Sequence, residues 1–213
     1  MIYLIIADKD SIKKDCLHMW QSCNLFSGEI KEYICNTKNQ KTKNERILSY
    51  TALLSSLKEF FSVENIKLER NKNGKPYIKD SSIYISLSHS DDTCVVALSN
   101  EGEIGVDIQC RVDEERGERL SKRFLSEIQP RQDEMNIKCL YMTLTENAAL
   151  FSEICLTKDN ETDFLTKWVY FESVIKAYGL SFSDISKISE LEQNTKTTIF
   201  NSKNYKIAVT KTV

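Results

Sequence analysis

Between Ile83 and Gln109 the sequence passes through three strand-type segments with no helical period between them. Ile83, Ile85 and Leu87 alternate with Tyr84, Ser86 and Ser88. Cys94–Leu98 is continuously apolar, and Ile104, Val106 and Ile108 alternate with Gly105, Asp107 and Gln109. Side chains of a strand point alternately to its two faces, so Asp107 and Gln109 project together, away from three aliphatic anchors. The segment Ser99–Glu103 (SNEGE) between the second and third runs reads as a hairpin turn.

Elements of both kinds flank this block. Met1–Ala7 reads as a buried strand; it is short and has neither a basic leader nor a cleavage-like site, which argues against a signal peptide. Ser11–Cys23 reads as a helix capped by Asp10 or Ser11. The polar, basic stretch Asn36–Arg46 leads into a helix over Glu45–Phe61, where Ile47, Leu48, Leu54, Leu57 and Phe61 recur at helical spacing. Asn71–Pro76 carries turn chemistry. Arg111–Asn136 is charge-rich, a mixture of helix and exposed connection. Phe164–Tyr178 is a strong helix with Gly179 as its stop, and Thr197–Phe200 and Tyr205–Val209 are short strands. The fold class is α+β, with a join near Cys110–Asp113 that divides the chain into 1–110 and 111–213.

Charge and cysteine usage narrow the function. Lys plus Arg number 29 against 31 Asp plus Glu, a net charge of −2, where a general nucleic-acid binder would be basic. Seven cysteines without paired CxxC motifs, and two distant histidines, His18 and His89, disfavour both a zinc site and a disulfide framework. No stretch reaches the roughly 18 apolar residues of a membrane span. A cytoplasmic protein is expected.

Three constellations can carry chemistry. Gly74-Lys75-Pro76-Tyr77, followed by Ser86-Leu87-Ser88-His89-Ser90, is either a turn and a polar strand end or a phosphate site in which Lys75, Ser88 and His89 converge. Asp107 and Gln109 either face solvent or share a hard cation such as magnesium, which prefers oxygen donors. Trp168, Glu172 and Lys176 lie along one helix face, as an ordinary Glu–Lys pair beside a half-buried Trp or as part of a site.

Taken in order, GKPY, SLSHS, IGVDIQ, RFLS (Arg123–Ser126) and WVYFESVIK resemble the surfactin-type 4′-phosphopantetheinyl transferases over about Gly74–Lys176, and the tail strand KIAV (Lys206–Val209) fits as well. The resemblance implies a fold of two pseudo-symmetric α/β halves with the site between them, in a monomer. It implies transfer of the phosphopantetheine arm of coenzyme A to a serine of an apo acyl or peptidyl carrier protein, releasing adenosine 3′,5′-bisphosphate. Asp107, Gln109 and Glu172 would hold Mg2+, with Gln109 at a position often occupied by Glu. Glu172 would take the serine proton, and Lys176 would serve the leaving phosphate. Lys75, Ser88 and His89 would bind phosphates, Gly74 and Pro76 would shape the adenine side, and Trp168 would anchor its helix. Two departures stand out. Phe171 replaces the family's usual Lys before the catalytic Glu. Leu54-Ser55-Ser56-Leu57 lacks the usual helix arginine, for which Lys41, Lys43 and Arg46 are candidate replacements. These departures motivate the alternative of a catalytically weakened coenzyme A-binding or carrier-binding homologue.

Overall fold

The computed structural model describes residues 1–11, 28–63, 66–110, 125, 128–145 and 148–213. The helix expected over Ser11–Cys23, His18 within it, most of Arg111–Asn136 and all of RFLS except Leu125 lie outside these residues.

Two β-sheets pack face to face, and helices cover the outer face of each. The first sheet has the order β4-β5-β1-β7-β8, formed by Tyr84–Ser90, Thr93–Ser99, Ile2–Asp8, Ile137–Leu144 and Ala149–Glu153. The second has the order β6-β11-β10-β9, formed by Ile104–Cys110, Tyr205–Thr212, Thr195–Asn201 and Thr157–Lys158. A small ribbon pairs β2 (Leu68–Arg70) with β3 (Pro76–Ile78) across the Asn71–Lys75 turn.

The two-sided burial explains the apolar run of β1. Its Ile5 and Ala7 join Val96, Leu98, Leu140 and Met142 beneath helices α1 (Gly28–Cys35) and α2 (Gln40–Phe61). Ile2, Leu4 and Ile6 point the other way, against Ile104, Val106, Ile108, Ile207 and Val209 of the second sheet. The outer face of that second sheet takes helix α3 (Phe164–Ala177) through Val169, Tyr170, Phe171, Val174 and Ile175. A short helix, α4 (Ile188–Leu191), follows it.

Local chemistry sets the helix ends. Asn39 caps α2 by accepting from the Thr42 amide at 3.0 Å, so the basic run from Lys41 to Arg46 is already helical rather than part of the preceding loop. Asp163 caps α3 by accepting from the Thr166 amide at 2.8 Å. At the other end Gly179 adopts φ +62°, and the Leu180 amide reaches back to the Ile175 carbonyl at 2.9 Å.

One expectation is corrected. Ser99–Glu103 does not close a hairpin, because β5 lies in the first sheet between β4 and β1 while β6 is an edge strand of the second. The turn carries the chain across the interface between sheets. It also makes the sheets interleave the sequence, with β6 beside the late strand β11 and β7 parallel to β1.

The edges of the two sheets meet at β4 and β6. No backbone ladder joins them there. Instead the alternate serines of SLSHS reach across: Ser86 Oγ accepts from the Val106 amide at 3.0 Å, Ser90 Oγ accepts from the Cys110 amide at 3.0 Å, and Ser88 Oγ donates to Asp107 Oδ1 at 2.7 Å.

Candidate active site

The outward face of β6 presents Gly105, Asp107 and Gln109 to helix α3, as the alternation predicts. Gly105 allows the closest approach. A methyl group there would overlap the Ser173 carbonyl oxygen and the Ala177 amide nitrogen, and would lie 3.0 Å from Ala177 Cα. With no side chain at that point, the helix lies directly on the strand and carries Lys176 onto Asp107.

The resulting cluster is compact and largely dry. Lys176 Nζ donates to Asp107 Oδ1 at 2.5 Å and to Ser88 Oγ at 3.1 Å, and stands 3.9 Å from Glu172 Oε2. Asp107 is 4% exposed, so the reading of it as a solvent-facing strand residue is set aside. Its Oδ1 serves two donors, while its Oδ2 is buried with no hydrogen-bond partner. Burial pushes the Glu172 carboxyl above the ordinary carboxylate range; Lys176 opposes that rise and Asp107 reinforces it.

Glu172 and Lys176 form one wall of a cleft of about 380 Å³. Gly74, Lys75 and Pro76 form another, and His89, Arg46, Arg70, Tyr33 and Tyr50 also line it. Lys75 Nζ donates to the Ala177 carbonyl at 2.9 Å and pairs with Glu103 at 2.5 Å; burial lowers its pKa despite that carboxylate. Asn71 and Asn73 both donate to the Gly179 carbonyl, at 3.0 and 2.8 Å, fastening the GKPY turn to the end of α3. His89 Nδ1 lies 3.3 Å from Glu45 Oε2. Burial pushes the imidazole down, Glu45 opposes this, and Lys176 adds to it.

Several sequence candidates fall elsewhere. Ser88 is 7% exposed and sits behind the cleft wall as a partner of Asp107 and Lys176. Gln109 is half-buried, two residues from Asp107 on the same strand face, and is not among the residues lining the cleft. Lys41 is exposed, with Asp91 at 3.4 Å, and neither it nor Lys43 lines the cleft; Arg46 does. Trp168 anchors its helix, packing between Phe164 and Phe182 at centroid distances of 5.7 and 5.8 Å. Phe171 is fully buried and edge-on to Phe182, so position 171 faces the core rather than the cleft.

Arg70 was not among the sequence candidates. It comes from the three-residue strand β2, too short to show a period. Its guanidinium stacks on one side of the Tyr33 ring at 3.6 Å from the centroid, while Arg46 stacks at 3.9 Å. Arg70 Nη2 donates to Tyr50 Oη at 2.7 Å, and its Nε is buried without a partner. Two guanidinium groups held on one ring make a positively charged patch in the cleft lining, suited to a phosphate.

Among the described residues no three His, Cys, Asp or Glu side chains form a group open to a metal ion. A magnesium ion held with substrate phosphates needs only one or two protein carboxylates. The unpaired Oδ2 of Asp107, buried just behind the cleft lining, and Glu172, which lines the cleft and shares Lys176 with it, are the two carboxylates that fit that requirement. No helix among the described residues is long and apolar enough to cross a membrane.

No family model matches the chain. Over 147 residues it is 29% identical to a curated protein, the 4′-phosphopantetheinyl transferase gsp of Aneurinibacillus migulanus. The match covers 69% of this chain and 52% of that protein, so the chain spans about half the length of the relative. The resemblance carried by the motifs thus agrees with a similarity that extends over 147 residues of the chain.

Proposed function

We propose that the chain is a magnesium-dependent 4′-phosphopantetheinyl transferase that moves the arm of coenzyme A onto a carrier-protein serine and releases adenosine 3′,5′-bisphosphate. The observation that carries this reading is the buried Asp107–Lys176–Ser88 cluster. It holds one unpaired carboxylate oxygen, and its Lys176 lines, with Glu172, a cleft that Arg46 and Arg70 also line. The similarity to a phosphopantetheinyl transferase supports it independently.

On this reading Asp107 and Glu172 would hold Mg2+, with the amide oxygen of Gln109 as a neutral third donor, and the ion would supply charge neutralisation at the pyrophosphate. Lys75, His89, Arg46 and Arg70 bind the coenzyme A phosphates, and Gly74 with Pro76 borders the adenine. Lys41 and Lys43 have no role in it. Glu172 accepts the proton of the attacking serine hydroxyl as its oxygen bonds to the β-phosphorus. The bond from the β-phosphorus to the bridging oxygen breaks, and Lys176 steadies the departing phosphate. We read the chain as two halves, 1–110 and 111–213. The first supplies the metal-holding strand and the second the catalytic helix, in a cytoplasmic monomer.

Two observations weigh against the alternative of a weakened homologue. Phe171 occupies a core position, and Arg70 supplies a guanidinium from β2 where the helix has none. The test is to incubate the protein with coenzyme A, Mg2+ and a panel of apo acyl and peptidyl carrier proteins. The serine-bearing carrier is expected to gain the mass of the phosphopantetheine arm. No gain with any carrier, together with no coenzyme A binding in calorimetry, would reject the proposal.

Arg70 gives a sharper expectation. A charge-assisted hydrogen bond to a phosphate contributes about 1.5–3 kcal/mol, so Arg70→Ala should raise the KM for coenzyme A by roughly ten- to a hundredfold. If the bound group is the 3′-phosphate, the same variant should scarcely change the KM for dephospho-coenzyme A. Equal losses with both substrates would move the guanidinium to another phosphate.

A further inference from the structure

Away from the cleft, Lys206 of β11 is fully buried, and four oxygens surround its ammonium. Glu161 Oε2 and Thr166 Oγ1 lie at 2.7 Å, Asp159 Oδ2 and Asp163 Oδ2 at 2.9 Å. The three carboxylates occupy alternate positions of one loop, Asp159-Asn160-Glu161-Thr162-Asp163. An ammonium has three protons to give, and here it meets more acceptors than it can satisfy. Carboxylates at alternate positions closing on a single positive centre are how a loop holds a hard cation.

The loop is built in. Asp159 is 2% exposed; its amide donates to the Ile199 carbonyl at 2.9 Å, its Oδ1 accepts from the Glu161 amide at 3.1 Å, and its carbonyl accepts from Gln132. Asp163 is the cap of α3, and Thr166, in the first turn, donates to Asp159 Oδ2 at 2.7 Å. Burial alone would push the ammonium down, and the carboxylates outweigh it and hold the Lys206 pKa above its ordinary value. Three carboxylates against one ammonium leave net negative charge at the start of α3, where the helix dipole favours it.

The place of this cage gives it a use. Lys206 pairs across strands with Gln109, and Ala208 with Asp107, so the cage lies on the same sheet face as the active-site strand residues. Helix α3 is thus fixed at its start by Lys206. It is fixed again farther along by Gly105 and by the Ser173–Thr210 hydroxyl contact at 2.7 Å, with Glu172 and Lys176 on that second stretch.

We propose that Lys206 is a tethered cation that the loop Asp159–Asp163 binds as it would bind a metal ion, making it a positioning residue for the helix that carries Glu172 and Lys176. The second half of this statement rests on the transferase reading above; the first does not.

The experiment compares wild type, Lys206→Arg, Lys206→Met and the double variant Lys206→Met/Asp159→Asn. Unfolding midpoints are measured with and without millimolar Ca2+, and steady-state kinetics with coenzyme A. Glu161 and Asp163 are about half exposed, so the cost falls on Asp159, left buried without its cation, and should lower the midpoint of Lys206→Met by roughly 10 °C. Ca2+ should then raise that midpoint by at least about 5 °C more than it raises wild type. The double variant also lacks Lys206 but keeps Asp107 and Glu172, so it controls for any ion held at those two residues. The double variant, with the buried charge reduced, should recover part of the midpoint and lose the extra response to Ca2+, which keeps the test open if Lys206→Met folds poorly. Misplacement of α3 should lower kcat of Lys206→Met by about a hundredfold, with KM for coenzyme A within a few-fold, because Arg46, Arg70 and Lys75 sit on other elements. Lys206→Arg should restore most of kcat. A Ca2+ response no larger than that of wild type overturns the cage. A Ca2+ response with unchanged kcat overturns the positioning role. If wild type itself transfers nothing, the functional reading fails while the Ca2+ comparison still decides the cage.

Discussion

Glu172→Gln is expected to lower kcat by about three orders of magnitude while leaving the protein folded. The amide fills the same space but cannot take a proton and is a weaker donor to a hard cation. Stability should not fall with activity. In the fold burial raises the Glu172 pKa, so near neutral pH the ionised carboxylate costs the folded state relative to the unfolded chain, and a neutral amide removes that cost. Lys176 keeps its closer partner, Asp107 at 2.5 Å, when the more distant carboxylate is lost. Thermal unfolding should therefore give a midpoint equal to or above that of wild type. Coenzyme A, bound also by the cations across the cleft, should still bind within several-fold of wild type when measured without Mg2+. Turnover like that of wild type would reject the proposed role of Glu172. A collapse in stability would show that the carboxylate is needed for structure.

Gly105→Ala is the second large effect. Most strand glycines accept a methyl group at modest cost. This one faces the backbone of α3, where neither the Ser173 carbonyl nor the Ala177 amide can rotate away as a side chain would. The helix must lift from the strand. Overpacking of this kind should cost about 3 kcal/mol or more, which in a chain of this size lowers the unfolding midpoint by roughly 6–12 °C. Because the helix carries Glu172 and Lys176, the fraction that still folds should also lose activity. Circular dichroism on heating, with the transfer assay below the new midpoint, measures both. An alanine variant with the wild-type midpoint would mean that the contact relaxes at no cost.

The parts of this molecule legible in sequence are those in which one element settles the matter. Period two over Ile104–Gln109 put Asp107 on the face opposite the aliphatic anchors, and that is where it lies. The helix over Phe164–Tyr178 follows from its apolar spacing and its glycine stop. What pattern could not supply is which neighbour a strand chooses. A turn such as Ser99–Glu103 has the same chemistry whether it closes a hairpin or crosses between sheets, and here it crosses. Basic residues were hard to rank for a related reason. Lys41 and Arg46 are five residues apart, which on a helix turns them roughly 140° from each other, so only Arg46 reaches the cleft. Arg70 and Lys206 carry little local signal. One lies in a strand of three residues, and the other reads as an ordinary polar position in a tail strand until the fold brings Asp159, Glu161 and Asp163 around it.

The serine seam between β4 and β6 bears on how the chain behaves among copies of itself. Both strands are sheet edges, and an edge strand with free amides and carbonyls invites another chain to pair with it and start aggregation. In β6 the Val106 and Cys110 amides are already occupied by Ser86 and Ser90. Short hydroxyl side chains thus deny a newcomer two of the donors on which a foreign strand would build. The third serine, Ser88, gives its proton to Asp107. The same every-other-residue spacing that guards the edge against self-association also delivers one hydroxyl to the buried carboxylate of the candidate site.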